Sequence, residues 1–277
     1  MISLLGTADL ILFALLVVVL LFIGFRNSTR KKNAEEYFLA GRSLKWWSVA
    51  GSVFGTNVSL SQIIGMLGIG YSIGFAQSHY EILAVPAILL LCYVFIPVYR
   101  RNASFTLSAW LEARYNGQAR LLYAIILLGI ILILLTGGLY IGSRQLGLLF
   151  NGTVFQLTYL QGILLIAGVS CLLVFFGGME ALVVSENLIS VLMVLSLVLV
   201  GYLTLSQPSI GGIGGLIELD HGSQGLQKMH LYLKPSHPDL PWTGVFSGLL
   251  VLQGFFWTTN QFEVQRVLAA SSDRHAR

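Results

Sequence analysis

GSVFGTNVSLSQIIGMLGIGYSIG, residues 51–74, is the stretch on which the reading of this chain turns. It lies in 277 residues that are 56% hydrophobic and 10% charged, with a mean hydropathy of +0.80. Soluble domains carry about a quarter charged residues, so the composition is that of a polytopic membrane protein. Yet the stretch holds Gly51, Gly55, Gly65, Gly68, Gly70 and Gly74, with Ser52, Thr56, Asn57, Ser59, Ser61 and Gln62 among them. Such residues loosen a helix and offer its backbone competing hydrogen bonds. Non-helical backbone at membrane depth persists only where it is buried in protein or lines a wet cavity. A break near 55–62 is therefore expected, with freed carbonyls suited to a cation and side chains suited to a polar solute. Close small-residue packing of an unbroken helix is the alternative. Asn57 and Gln62 together weigh for the site.

Working outward, charge-poor runs of the length a spanning helix needs, about 20 residues, recur along the chain. Seven spans are expected, near 8–25, 46–70, 80–99, 120–147, 158–177, 181–204 and 242–259. The 205–241 segment carries Pro, Gly, His, Asp and Lys and reads as a long polar loop. The segment 105–120 is too charged to span and reads as a short interfacial helix. The first run is followed, not preceded, by its basic cluster (Arg26, Arg30, Lys31, Lys32), which argues for a first span and against a signal peptide. With the N-terminus outside, thirteen of the sixteen basic residues fall on inner loops. Arg144, Lys228 and Lys234 are the exceptions. The net charge of +4 thus encodes topology. No basic face interleaved with exposed aromatics points to nucleic acid. Cys92 and Cys171 sit in apolar runs as small core residues, with no disulfide or metal role. No nucleophile motif, metal-ligand spacing or phosphate loop suggests an enzyme.

Two further places depart from membrane rules. Glu81 lies in QSHYEILAVPAILL, where a mid-span charge costs about 2.5–3.5 kcal/mol on insertion scales. It reads either as a surface carboxylate at a helix start or as a carboxylate facing a cavity. Tyr80 beside it is a belt residue or a pocket wall, and His79 an interface residue. In the last span Gln253, Gly254, Thr258, Thr259 and Asn260 dilute an apolar run that also carries Phe255, Phe256 and Trp257. Those aromatics read equally as packing or as a ligand wall. The glycine pairs 137–138 and 177–178 read as close helix packing. Two weakened spans with four others between them form the pattern of an inverted-repeat transporter, in which broken helices at matching positions hold substrate and ion.

Specific blocks now carry a resemblance. YFLAGRSLKWW (37–47) and NQFEVQR (260–266), joined in order by IIGMLGIGYSIG (63–74), SHYE (78–81), FTLSAWLEARYN (105–116) and FFGGMEALVVSEN (175–187), resemble the sodium:solute symporter family. The likeness is closest to its sodium/glucose and sodium/galactose branch. It implies an all-α polytopic LeuT-type inverted-repeat fold. Residues 1–45 would be an extra N-terminal helix and basic loop, 46–204 a first five-helix repeat, 205–241 an outer loop, and 242–277 the first helix of a second repeat. It implies sodium-coupled symport of a small polar solute, a sugar, by alternating access across the plasma membrane, with the N-terminus outside and lipid around the helices. Backbone carbonyls of Gly55 and Val58 would hold sodium. Gln62, Met66, Tyr80, Glu81, Gln253, Phe256 and Trp257 would line the solute pocket. Glu186 would lie on the ion exit route.

Four positions depart from the family pattern. Gln253 stands where a pocket Asn is found, Phe256 where a Tyr closes the inner side, Ala84 where a Ser contacts sugar, and Glu186 where an Asp lies. Other small polar or anionic solutes remain open. The family's second repeat is incomplete here, so the chain reads as an N-terminal half, with the other half on a separate chain if it exists. On that reading the 277 residues alone carry no coupled transport. A complete seven-span receptor or sensor is the competing class.

Overall fold

The computed structural model describes residues 5–26, 33–101, 106–221 and 228–277. Arg30, Lys31, Lys32 and Phe105 lie outside the described residues. Among the described residues four helical stretches are long and apolar enough to cross a membrane: Thr7–Arg26, Leu60–Arg101, Gly117–Leu149 and Tyr159–Leu205. The first is α1. A short helix α2 (Ala34–Leu39) follows, capped by the Asn33 side chain accepting from the Glu36 N–H at 2.8 Å. It leads into left-handed backbone at Ala40, Gly41 and Arg42, within the YFLAGR block.

The weak stretch then divides. Helix α3 (Trp46–Asn57) ends at Val58, whose ψ of 91° is extended, and α4 (Leu60–Ile73) begins after Ser59. The Ser59 hydroxyl accepts from the Gln62 N–H at 3.2 Å, the bond that lets a serine start a helix. The expected break is therefore present at 58–59. The helix is not unbroken, as the alternative required, but the close packing that went with it is present at two glycines. A Cβ on Gly55 would lie 2.6 Å from Ser190 Oγ, and one on Gly51 1.9 Å from Asn187 Oδ1. Gly65, Gly68 and Gly70 face open space. Close packing thus occupies the first half of the stretch, and the break follows it.

One 3₁₀ turn joins α4 to α5 (His79–Ile82), which continues through α6 (Ala84–Leu90) and α7 (Ile96–Arg101). A widened π turn at Leu91–Phe95 separates α6 from α7, just ahead of Pro97, which lacks an N–H to bond back along the helix. Helix α8 (Leu107–Arg114) fills the expected interfacial segment, and α9 (Gly117–Leu149) follows it. The spans expected at 158–177 and 181–204 belong to one long element, α10 (Tyr159–Leu205), bent at Gly178 with φ 53° and ψ −154°. That conformation is open to glycine alone. Gly178→Ala is expected to destabilise the chain by about 1–3 kcal/mol, read as a lower melting temperature in detergent.

The bend divides the labour of α10. Before it, Gly177 and Leu173 approach Gly24 of α1, and Val174 O accepts from the Tyr37 hydroxyl at 3.0 Å. After it, Glu186, Asn187 and Ser190 meet α3. Within 205–241, read as loop, the structure forms a ten-residue helix α11 (Gly212–His221). Ile213, Leu216 and Ile217 repeat at helical spacing there, a stripe that the polar composition of the segment conceals. The last span starts with α12 (Trp242–Gly244), passes a π turn, and continues as α13 (Leu250–Thr259). It breaks at Asn260, and α14 (Gln261–Leu268) and α15 (Asp273–Ala276) complete the chain.

Two apolar clusters fix the ends of this arrangement. One gathers Leu39, Leu44, Val49, Ile96, Tyr99, Leu107, Val183, Val264 and Leu268. It is tied by the backbone pairs Leu44 N–H to Ala269 O (3.1 Å) and Ser271 N–H to Leu44 O (2.9 Å). The other joins Ile73, Ala76 and Leu83 to Leu240, Val245 and Leu249. His79, expected at an interface, is buried there and packs on Tyr232 with ring centroids 4.7 Å apart. Both cysteines are free, and Cys171 is exposed where a core position was expected.

Candidate functional site

The two helix breaks face one cavity of about 620 Å³. Its walls come from both sides of the first break (Thr56, Asn57, Ser59, Gln62, Met66), from Gln77, Tyr80, Glu81 and Ala84, and from both sides of the second (Gln253, Phe256, Trp257, Asn260, Glu263). Ile131, Leu134, Leu135 and Gly138 of α9 add an apolar side. Each break is built the same way. A polar residue, Ser59 or Asn260, is extended and caps the following helix; Asn260 Oδ1 accepts from Phe262 N–H at 3.2 Å.

The breaks differ in what happens to their carbonyls. A helix end leaves its last carbonyls without helical partners. At the second break the Tyr99 hydroxyl donates to Thr258 O (2.8 Å) and the Tyr123 hydroxyl to Thr259 O (2.9 Å). At the first, Val58 N–H closes Phe54 O at 2.9 Å, and the carbonyls of Gly55, Thr56 and Asn57 lie past that last bond.

All seven residues expected to line a solute pocket do line this cavity. Gln62 Nε2 donates to Glu81 Oε1 at 3.0 Å, joining an amide and a carboxylate across α4 and α5. Glu81 is exposed and open on its remaining lone pairs. Gln253 is buried and its amide is already engaged: Nε2 donates to Tyr80 O (2.8 Å) and Oε1 accepts from Trp257 Nε1 (2.9 Å). One N–H and one lone pair of that amide remain for a ligand. Phe256 meets Trp257 edge to face, with centroids 5.5 Å apart. Gly55 and Val58 are not among the cavity-lining residues; Gly55 lies where α3 packs on Glu186 and Ser190 of α10.

Glu186 also lies outside the cavity, in a buried network. Its carboxylate accepts from the Ser52 hydroxyl and, at 2.8 Å, from the Thr56 hydroxyl. It also pairs with Arg266, whose Nε lies 3.1 Å from Glu186 Oε2 and 3.0 Å from Ser52 Oγ. Arg266 was expected on an inner loop as a topology signal. It is instead buried in α14, because its charge is matched by Glu186 on α10. Sequence reasoning also passed over Gln77 and Glu263, both buried on the cavity wall. A signal for Glu263 existed: FEVQR places two opposite charges three residues apart beside an apolar span. Gln77 carried none.

The described residues thus form a polytopic helical fold in which two broken helices flank one cavity. The chain belongs to the sodium:solute symporter family, whose model matches residues 37–277. It is 31% identical to the sodium/glucose cotransporter of Vibrio parahaemolyticus over 95% of this chain and 49% of that protein. It is 30% identical to the human sodium/myo-inositol cotransporter 2 over 97% of this chain and 41% of that one. Among solved structures, a substrate-bound, outward-open sodium-coupled sialic acid symporter matches with a TM-score of 0.84 and 20% identity, covering 98% of this chain and 55% of that chain. The fold is thus LeuT-type, as expected. The chain spans about half the length of the curated relatives it matches. The family replaces the receptor reading.

Proposed function

We propose that the chain forms the first half of a sodium-coupled symporter for a small polyhydroxylated solute, working by alternating access in a plasma membrane. The hydrogen-bonded Gln62–Glu81 pair, facing a cavity of about 620 Å³ between two broken helices, carries this reading. A carboxylate with an amide held beside it can accept from and donate to neighbouring hydroxyls of one sugar ring. Met66, Tyr80, Phe256 and Trp257 supply the apolar faces that a pyranose needs, and Gln253 a further donor and acceptor. The relatives named for glucose and myo-inositol point to the same solute class. Among the described residues the cavity is lined by carboxylates at Glu81 and Glu263 and by no Lys, Arg or His, which disfavours an anionic solute.

Sodium is assigned to the first break. Gly55 has its carbonyl past the last helical bond of α3 and Val58 is the extended residue that ends the helix, where its negative end favours a cation. A hard cation wants about six oxygens, so the rest of its shell would come from the second half. Glu186, one layer behind, is assigned to the ion exit route. In this reading residues 46–204 are the first repeat, 242–277 open the second, and 205–241 lie outside with the N-terminus.

The test is uptake into proteoliposomes carrying a full-length version. Radiolabelled glucose or myo-inositol should accumulate under an inward sodium gradient and stop when choline replaces sodium. Equal uptake in choline overturns sodium coupling. The 277-residue chain alone should show no coupled uptake; sodium-driven accumulation by it overturns its assignment as a half.

A further inference from the structure

Between Arg120 and Glu180 the chain carries one charged residue, Arg144. It lies five residues before the end of the apolar spanning helix α9. At 1.5 Å per residue α9 is roughly 50 Å long, more than a bilayer with its headgroups at about 40–45 Å. Its two ends therefore reach the two interfaces, and Arg144 falls roughly 8 Å below one of them, at headgroup depth. An arginine near a span end commonly extends its guanidinium towards water. Arg144 turns the other way. Its guanidinium lies over the Tyr140 ring, 5.7 Å from the centroid, and Nη1 donates to the Tyr140 hydroxyl at 3.1 Å. Tyr140 stands one helical turn nearer the bilayer centre. Among the described residues no carboxylate pairs with Arg144, and four of its five N–H donors remain.

Arg144 and Tyr140 line a cleft of about 390 Å³ between α9 and α10. Tyr159, the first residue of α10, forms another wall, its ring centroid 6.1 Å from that of Tyr140. The two helices meet beside the cleft on small residues: Ser143 is buried, and a Cβ on Gly162 would lie 3.1 Å from it. Inward from Tyr159, Leu160 and Leu164 are exposed one turn apart on α10, a track along which an acyl chain can lie. The guanidinium fork matches a pair of phosphodiester oxygens, and tyrosines belong at headgroup level. Among the described residues no acidic side chain lines the cleft to hold an amine headgroup. We propose that this cleft binds the phosphate of an anionic phospholipid, in the leaflet that holds the turn between α9 and α10. It lies outside the solute cavity and rests on neither the solute nor the sodium assignment.

The experiment reconstitutes the 277-residue chain in vesicles of phosphatidylcholine and phosphatidylglycerol, extracts it in mild detergent and counts retained lipids by native mass spectrometry. Wild type should retain one phosphatidylglycerol more than Arg144→Gln. Arg144→Lys keeps a point charge without the planar fork; it should fall between the two and guards against a folding defect in the Gln variant. Lys234→Gln, at an exposed basic residue of the segment before the last span, should match wild type. Equal phosphatidylglycerol retention by wild type and Arg144→Gln overturns the proposal. So does an extra phosphatidylcholine held by wild type in place of phosphatidylglycerol, which would mean that the net charge of the lipid is not read. Release of the retained lipid by millimolar inorganic phosphate would make the occupant a free anion and would also overturn it. None of these outcomes touches sodium-driven uptake by the full-length version, so the two readings fail separately.

Discussion

Arg266→Ala is expected to destabilise the chain by about 3–5 kcal/mol, because it strands Glu186 as a buried charge. Both partners are largely buried, and the guanidinium meets the carboxylate through Nε and Nη2. The measurement is the melting temperature, or the denaturant needed to unfold, in one detergent at fixed ionic strength. The physical cause can be separated from loss of contacts. Replacing both partners by leucine removes the charges and keeps the bulk, and should recover much of the loss. A double variant as unstable as Arg266→Ala would show that hydrogen bonds to Ser52 and Thr56, not charge, hold this layer. The pair has a consequence for the site. It clamps α14, beyond the second break, to α3 and α10 beside the first, so the two breaks keep their mutual position.

Glu81→Ala in a full-length version should raise the KM for sodium-dependent solute uptake by roughly 10- to 100-fold. Hydrogen bonds to a charged group contribute about 1.5–3 kcal/mol each, and about 1.4 kcal/mol is a factor of ten. Gln62→Ala should give a smaller rise of the same kind, since it removes a neutral donor and loosens the carboxylate it holds at 3.0 Å. Initial rates over a range of solute concentrations, at saturating sodium, measure both. Unchanged uptake in the two variants would remove this pair from the site. Because Glu81 is exposed on the cavity face, neither change should alter the melting temperature by much.

Much of this site could be read before the fold was known, for a definable reason. Gly, Ser, Asn and Gln weaken a helix that a bilayer requires to satisfy its own backbone, so their clustering at 51–62 and 253–260 marked both breaks. The Ser59 cap and the Asn260 cap are local events, set by residues within three positions. The family blocks then attached roles to Gln62, Glu81 and Gln253. What stayed hidden depends on partners far along the chain. Arg266 looked like a loop charge because its mate, Glu186, lies 80 residues away. The commitment of Gln253 to Tyr80 O spans 173 residues. The helix at 212–221 was concealed by averaging over a polar segment.

The sequence by itself determined the class: the apolar spans, the two weak points and the family blocks follow from composition and local propensity, which need no partner. Only the tertiary structure decided which polar groups are satisfied and which are left over. It closed the carbonyls of the second break with Tyr99 and Tyr123 and left those of the first past their last helical bond. It paired Arg266 with Glu186, and left Glu263 buried on the cavity wall with no hydrogen-bond partner among the described residues. The physical reason is that satisfaction of a buried charge or carbonyl is a property of packing. Residues distant in sequence supply the partner or withhold it, and no local pattern records which.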